Sequence, residues 1–265
     1  MCAFERSEKG MEFNMIDFHS HILPGIDDGS RDIEETYEMI KEAYDAGFKS
    51  IISTSHYIEG SYECDKLSRE HMISEIEQGL KDKNIDVKIY LGTEAYISRD
   101  LNLLVKENKI ATINNGNYLL FELPMNTKVL FLEDAILNLI SIGVKPIIAH
   151  PERYTFVQED PNMLIELIEK GVLFQMNYGS ASGIYGKEVK KTAIKLLKSN
   201  MIHFLGSDSH RHQSIYTKMN EFKDNIIKVI GEDRFEKLSE ENPQKVLNSK
   251  EIEIERPIKI KKFFF

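Results

Sequence analysis

Residues 15–21 run Met15-Ile16-Asp17-Phe18-His19-Ser20-His21, an apolar β-rich start that closes on two imidazoles one residue apart. Alternate side chains share a face on an extended backbone, so His19 and His21 point the same way from the end of one strand. Comparable apolar runs at 50–55, 87–94, 118–123, 145–150, 172–177 and 202–207 read as six further strands. Between the first two, Ile33, Tyr37, Ile40 and Tyr44 recur on one helical face. Ser30 is placed to cap that helix, and Gly47 falls where a left-handed residue would end it. Other helices are expected over 68–81, 129–142, 161–169, 187–199 and 216–230. Strands that alternate with helices need right-handed crossovers and hence a parallel sheet. An open doubly wound sheet and a closed barrel share that rhythm.

The side chains at the strand ends separate the two. His19 and His21 close the first strand, His56 follows the second, and Glu94 and Glu122 end the third and fourth. His150 ends the fifth, and Asp208 and His210 follow the seventh. A parallel barrel gathers the C-terminal ends of its strands on one face, where ligands bind. Ligand-type residues at six of seven strand ends favour such a barrel around one polynuclear metal centre. Glu94 and Glu122 sit in apolar strands with no basic residue in an adjacent strand interior, and a buried unpaired carboxylate is costly. Metal ligation accounts for them. Asp28, in the loop 24–29, has two readings on spacing alone, a helix cap or a ligand.

Composition narrows the function. The chain has 265 residues, a net charge of −9 and 42% hydrophobic residues. That suits a globular protein and argues against a sequence-independent nucleic-acid binder, which needs a basic face. No apolar run reaches the length of a membrane span, and residues 1–13 lack the apolar core of a signal peptide, so a cytoplasmic location is expected. The expected organisation is an extension over 1–14, one domain over 15–248 and a tail over 249–265. Cys2 and Cys64 are the only cysteines, and the positions six residues after them hold Glu8 and Glu70. A cysteine phosphatase needs an arginine there, so any phosphatase chemistry must proceed without a thiol nucleophile.

The segments IDFHSHILPGIDDGS (16–30), STSHY (53–57), GTEAY (92–96), FELP (121–124), AHPERY (149–154) and GSDSH (206–210) resemble the polymerase-and-histidinol-phosphatase (PHP) superfamily. Within it, the chain resembles the bacterial capsule-type, manganese-dependent protein-tyrosine phosphatases, over residue 15 to about residue 247. The resemblance implies an α/β fold, a distorted (β/α)7 TIM-like barrel with three metal ions at the C-terminal rim. It implies His19, His21, Glu94 and Asp208 as ligands of one ion. Glu94, Glu122 and His150 would hold a second, and Asp28, His56 and His210 the third. It makes Arg153 the phosphate-binding arginine, and a bacterial tyrosine kinase of polysaccharide export the protein substrate.

Five imidazoles and four carboxylates suit Mn, Fe or Zn better than Mg or Ca. Ions in such a site would supply a nucleophile at neutral pH by lowering the pKa of water to about 7. Arg211, next to His210, is a second candidate phosphate contact. Tyr57, Tyr96 and Tyr154 follow strand ends and are candidates to line a slot for a phenyl ring, against ordinary rim packing. His71, His203 and His212 are expected outside the ligand set, and Asp17 either orients a ligand imidazole or is simply buried and hydrogen-bonded. Two other functions compete with tyrosine dephosphorylation: hydrolysis of a small phosphomonoester such as histidinol phosphate, and a metal-binding module without turnover.

Overall fold

The computed structural model describes residues 13–261. Its strands in chain order are β1 (Met15–Ser20), β2 (Phe48–Ser53), β3 (His56–Tyr57), β4 (Lys88–Leu91), β5 (Glu94–Tyr96), β6 (Tyr118–Glu122), β7 (Lys145–Ala149), β8 (Leu173–Asn177) and β9 (Phe204–Gly206). They form two sheets, β1-β2-β4 and β3-β5-β6-β7-β8-β9, and every pairing is parallel. The expected α/β class with a parallel sheet is what forms. The second and third expected strands are each broken, at Thr54–Ser55 and at Gly92–Thr93, and the break divides the ladder into two sheets. A Cβ on Gly92 would lie 3.0 Å from Ile52 Cγ2 and 3.2 Å from the Ser53 carbonyl, so the chains pass closely there and a side chain at 92 would push its neighbours by a few tenths of an ångström.

The two sheets also meet where the first strand approaches the last. Ser20 bridges Ser209 in parallel, His21 N donates to the Ser209 carbonyl at 3.0 Å, and Asp208 N donates to the His19 carbonyl at 2.7 Å. Gly206 permits this approach, because a Cβ there would lie 2.5 Å from His19 Cβ. Asp17 fastens the same seam. Its Oδ1 accepts from Ser207 N at 2.7 Å and its Oδ2 from the Tyr216 hydroxyl at 2.7 Å. Asp17 therefore holds backbone to backbone, and touches His19 only through its main-chain N–H.

Helices pack between the strands: α1 (Ile33–Asp45), α2 (Lys66–Asp82), α3 (Leu101–Lys106), α4 (Leu132–Ser141), α5 (Thr155–Glu159), α6 (Met163–Glu169), α7 (Lys187–Lys198), α8 (Met219–Ile230), α9 (Glu232–Glu236) and α10 (Asn242–Leu247). The cap of α1 is Asp32, whose side chain accepts from Glu35 N, and not Ser30. The Ser30 hydroxyl instead bonds Thr36 Oγ1 at 2.9 Å and so ties the loop that carries Asp27 and Asp28 to the first turn of α1. Gly47 does take the left-handed conformation after α1, with φ of 98°. None of the helices among the described residues is long and apolar enough to cross a membrane.

The main core lies between the strands and the helices. A smaller cluster collects Ile16, Phe18, Ile52, Leu120, Ile147, Leu173 and Phe204 from six strands and is capped by Val246 and Leu247 of α10. Phe18 and Phe204 stack at 4.1 Å within it, and each such burial contributes roughly 1.5–3 kcal/mol. The β1–β2 register shifts between Asp17 and Ser20. Below the shift Ile16 and Phe18 face this cluster, and above it His19 and His21 face the metal-type residues. Residues 249–261 run without regular structure past the opposite ends of the strands. There the Tyr118 hydroxyl donates to the Lys250 carbonyl and Lys145 pairs with Glu251.

His203, expected outside the ligand set, lies in this core. It is 4% exposed, and its Nδ1 accepts from Phe174 N at 3.0 Å, so the ring must be neutral. Burial pushes it down to about 3, from the ordinary value near 6.5. A depressed folded-state pKa gives stability that is present above pH 6.5 and lost as pH falls toward 3. From pH 7 to pH 5 this one group should cost about 2 kcal/mol. His203→Asn keeps an acceptor without the titration. Urea unfolding at the two pH values should show a correspondingly smaller acid loss in the variant, and an identical loss would place the acid sensitivity elsewhere.

Candidate metal centre

The strand ends bring all nine expected side chains together. Glu94 is the hub. Its Oε2 lies 3.2 Å from His19 Nε2, 3.4 Å from His21 Nε2 and 3.0 Å from His56 Nδ1, and its Oε1 lies 2.9 Å from His150 Nε2. Asp208 Oδ1 is 3.6 Å from His19 Nε2 and 3.5 Å from His21 Nε2. Asp28 Oδ1 is 3.6 Å from His56 Nε2 and 3.4 Å from His210 Nε2. Glu122 Oε1 is 3.3 Å from His56 Nδ1. Two donors about 2.1 Å from one ion in cis positions stand about 3.0–3.4 Å apart, so these spacings suit shared ions.

Three groups of ligand atoms are close enough to hold an ion: His21, Asp28, His56 and His210; His19, His21 and Glu94; and His56, Glu94 and Glu122. His21 belongs to two groups, and His56 reaches Glu94 and Glu122 as well as Asp28. His150 approaches through Glu94, with Glu122 Oε2 at 3.9 Å. The nine residues form one continuous cluster.

The cluster fits cations on its own chemistry. Buried Glu94 Oε2, His56 Nδ1 and His150 Nδ1 have no hydrogen-bond partner, and leaving buried polar atoms unpaired is costly. Burial alone would raise Glu94, but the imidazoles of His19 and His56 hold it well below the usual carboxylate range. Burial and the neighbouring Glu94 push Glu122 up to about 9. Burial opposes charge on His19 and His21, yet the surrounding carboxylates raise both. His150 and Asp208 take positive φ, 34° and 55°, a conformation worth roughly 1–3 kcal/mol of strain that concentrates at functional sites.

Supports behind these ligands have no counterpart among the sequence expectations. His21 Nδ1 lies 2.8 Å from Asp27 Oδ2, which also accepts from His56 N at 2.7 Å. Fixing the far nitrogen turns Nε2 toward the centre. Asp27 stands next to Asp28 and shares its loop, so only the fold distinguishes ligand from support. Gln175 and Asn177 on β8 reach His19 and Asp208 in the same way.

Arg153 Nη1 donates to Asp208 Oδ2 at 2.8 Å, and its guanidinium lies over the Tyr185 ring at 4.9 Å. Its side chain is 29% exposed, so donors remain for a ligand. Arg211 is exposed and bonds the His210 carbonyl. Tyr57 is not at the rim. Strand alternation sends it to the helix side once His56 faces the centre, and it is 5% exposed in the main core. Tyr154 is buried as well, and its hydroxyl accepts from Leu123 N. Tyr96 stays exposed. Tyr62, half-buried, stacks near His56 at 6.2 Å. His71 is exposed on α2, and His212 lies beside Glu35 and Glu38. Arg69, five residues after Cys64, is fully buried on the carbonyls of Ser55, His56 and Cys64 and cannot cradle a phosphate.

The family model for capsular polysaccharide synthesis proteins CpsB/CapC matches residues 15–248. The tyrosine-protein phosphatase YwqE of Bacillus subtilis is 33% identical over 196 residues, 74% of this chain and 77% of the relative. The tyrosine-protein phosphatase CpsB of Streptococcus pneumoniae is 30% identical over 238 residues, 88% of this chain and 98% of the relative. A solved structure from work on these two, described as unique metal-dependent tyrosine phosphatases, superimposes with a TM-score of 0.88 at 30% identity, covering 94% of this chain and all of the other. Histidinol phosphate phosphatase from Lactococcus lactis shares the fold at a TM-score of 0.54 and 16% identity, over 82% of this chain and 94% of that one. On the family match and these relatives, the chain belongs to the CpsB/CapC family.

Proposed function

We propose that this chain is a metal-dependent protein-tyrosine phosphatase that acts on a bacterial tyrosine kinase governing capsular or exopolysaccharide synthesis. The observation that carries this reading is the convergence of five imidazoles and four carboxylates, Glu94 among them at the middle, in one cluster with Arg153 at its edge. We take the two sheets, joined at Ser20 and Ser209, as one distorted (β/α)7 barrel, and residues 15–248 as its domain. The ligand set supports three divalent ions, manganese first among them, held by His19, His21, Asp28, His56, Glu94, Glu122, His150, Asp208 and His210. When bound, such ions supply Lewis-acid charge to the phosphoryl oxygens and lower the pKa of water to about 7.

The remaining work falls to the chain's own groups. Asp208 anchors one edge of the Arg153 guanidinium and leaves its other donors to clamp the phosphate bidentately. Arg211 is the proposed second phosphate contact. A phenolate leaving group, with pKa about 10, departs more readily than an alkoxide and asks less of a general acid. A cytoplasmic site of action follows from that substrate.

Cys64 is half-buried, and burial pushes its thiol up, away from nucleophilic use. Cys2 lies outside the described residues. Alkylating both thiols should leave most hydrolysis of a phosphotyrosine peptide by the manganese-loaded protein intact. Loss that tracks Cys64 modification at unchanged metal content would overturn the mechanism. A large preference for histidinol phosphate, assayed alongside, would overturn the substrate.

A further inference from the structure

Of the six strands in the second sheet, β8 alone ends without a ligand-type residue. Its positions toward the centre hold two amides, Gln175 and Asn177, both fully buried. Gln175 Oε1 lies 2.7 Å from His19 Nδ1. Gln175 Nε2 donates to Asn177 Oδ1 at 3.0 Å, and Asn177 Nδ2 donates to Asp208 Oδ2 at 2.7 Å. Three hydrogen bonds in series thus join a ligand on β1 to a ligand beyond β9.

The series has one polarity. His19 Nε2 faces Glu94 and must keep its lone pair for an ion, so the ring proton sits on Nδ1 and Gln175 must accept it. That leaves the Gln175 amino group for Asn177, and the Asn177 amino group for Asp208. Flipping either amide alone would set like against like. At the far end, Asp208 Oδ2 is filled by Asn177 and Arg153. Only Oδ1 remains turned to His19 and His21.

We propose that Gln175 and Asn177 are positioning residues that make His19 and Asp208 one unit, setting the imidazole tautomer at one end and the metal-facing oxygen at the other. The proposal rests on the metal-dependent reading above and assigns β8 a part in it that no ligand motif reveals.

The test is manganese affinity by titration calorimetry on the chelated full chain, with ion-free melting temperature as the fold control. Gln175→Met and Asn177→Leu should each weaken binding by about 10- to 100-fold. The double variant should be little worse than either single one, because each break disables the same series. Unchanged affinity in a folded single variant, or full additivity in the double, would overturn the proposal. If Gln175→Met fails to fold, Asn177→Ser carries the same expectation. A wild type that binds manganese tightly but leaves phosphotyrosine intact would overturn the phosphatase reading, while the affinities still decide the role of the amides.

Discussion

Glu94→Gln should lower turnover on phosphotyrosine by about a thousandfold, about 4 kcal/mol of transition-state stabilisation. The size follows from position. One carboxylate stands 2.9–3.4 Å from nitrogens of His19, His21, His56 and His150. An amide of the same shape keeps the volume and loses the charge that draws cations to that point. Metal analysis should show fewer ions per chain. A variant with normal turnover and a full metal complement would remove Glu94 from the centre.

Chelation should abolish activity and lower the melting temperature by several degrees. Ions that bind the folded chain and not the unfolded one stabilise by about 2.7 kcal/mol at a hundredfold excess over Kd. Without them, Asp28, Glu94, Glu122 and Asp208 are left with the imidazoles and, at Asp208, the Arg153 guanidinium for counter-charge. The pH dependence of the ion-free protein has a definite sign. The folded pKa of Glu122 lies near 9, above its unfolded value near 4.5. Its contribution is therefore full at low pH and is lost as pH rises through about 9. The ion-free protein should weaken from pH 7 to pH 9, and manganese should restore both stability and activity. A melting curve indifferent to chelator, with ion loss verified, would leave a centre that is catalytic but not structural.

Much of this centre is legible because its residues announce themselves. A histidine pair at a strand end and carboxylates inside apolar strands are poor core residues, so His19, His21, Glu94 and Glu122 stand out. Their supports do not. Gln175 and Asn177 are unremarked as amino acids, and their role depends on β8 lying between His19 and Asp208. Sharing of His21 and His56 among ion groups depends on distances of a few ångströms, which spacing cannot supply. The sheet division is hidden for a related reason, since the breaks at Thr54–Ser55 and Gly92–Thr93 lie within continuous β-rich runs. Tyr57 reads as a rim residue because it follows a ligand, although alternation along β3 already turns it the other way. The cap of α1 falls between two cap-type residues two positions apart, and pattern alone favours Ser30 where the backbone selects Asp32.

The backbone at His150 and Asp208 constrains anyone who would re-engineer the metal preference of this protein. Both residues sit at positive φ, which His and Asp tolerate and β-branched or bulky residues do not. Exchanges toward softer or harder donors are thus best tried at Asp28, His56 and His210, where the backbone does not dictate the side chain. At the other two positions, exchange among Asp, Asn and His keeps the backbone, whereas other donors would have to adopt a conformation that most side chains avoid.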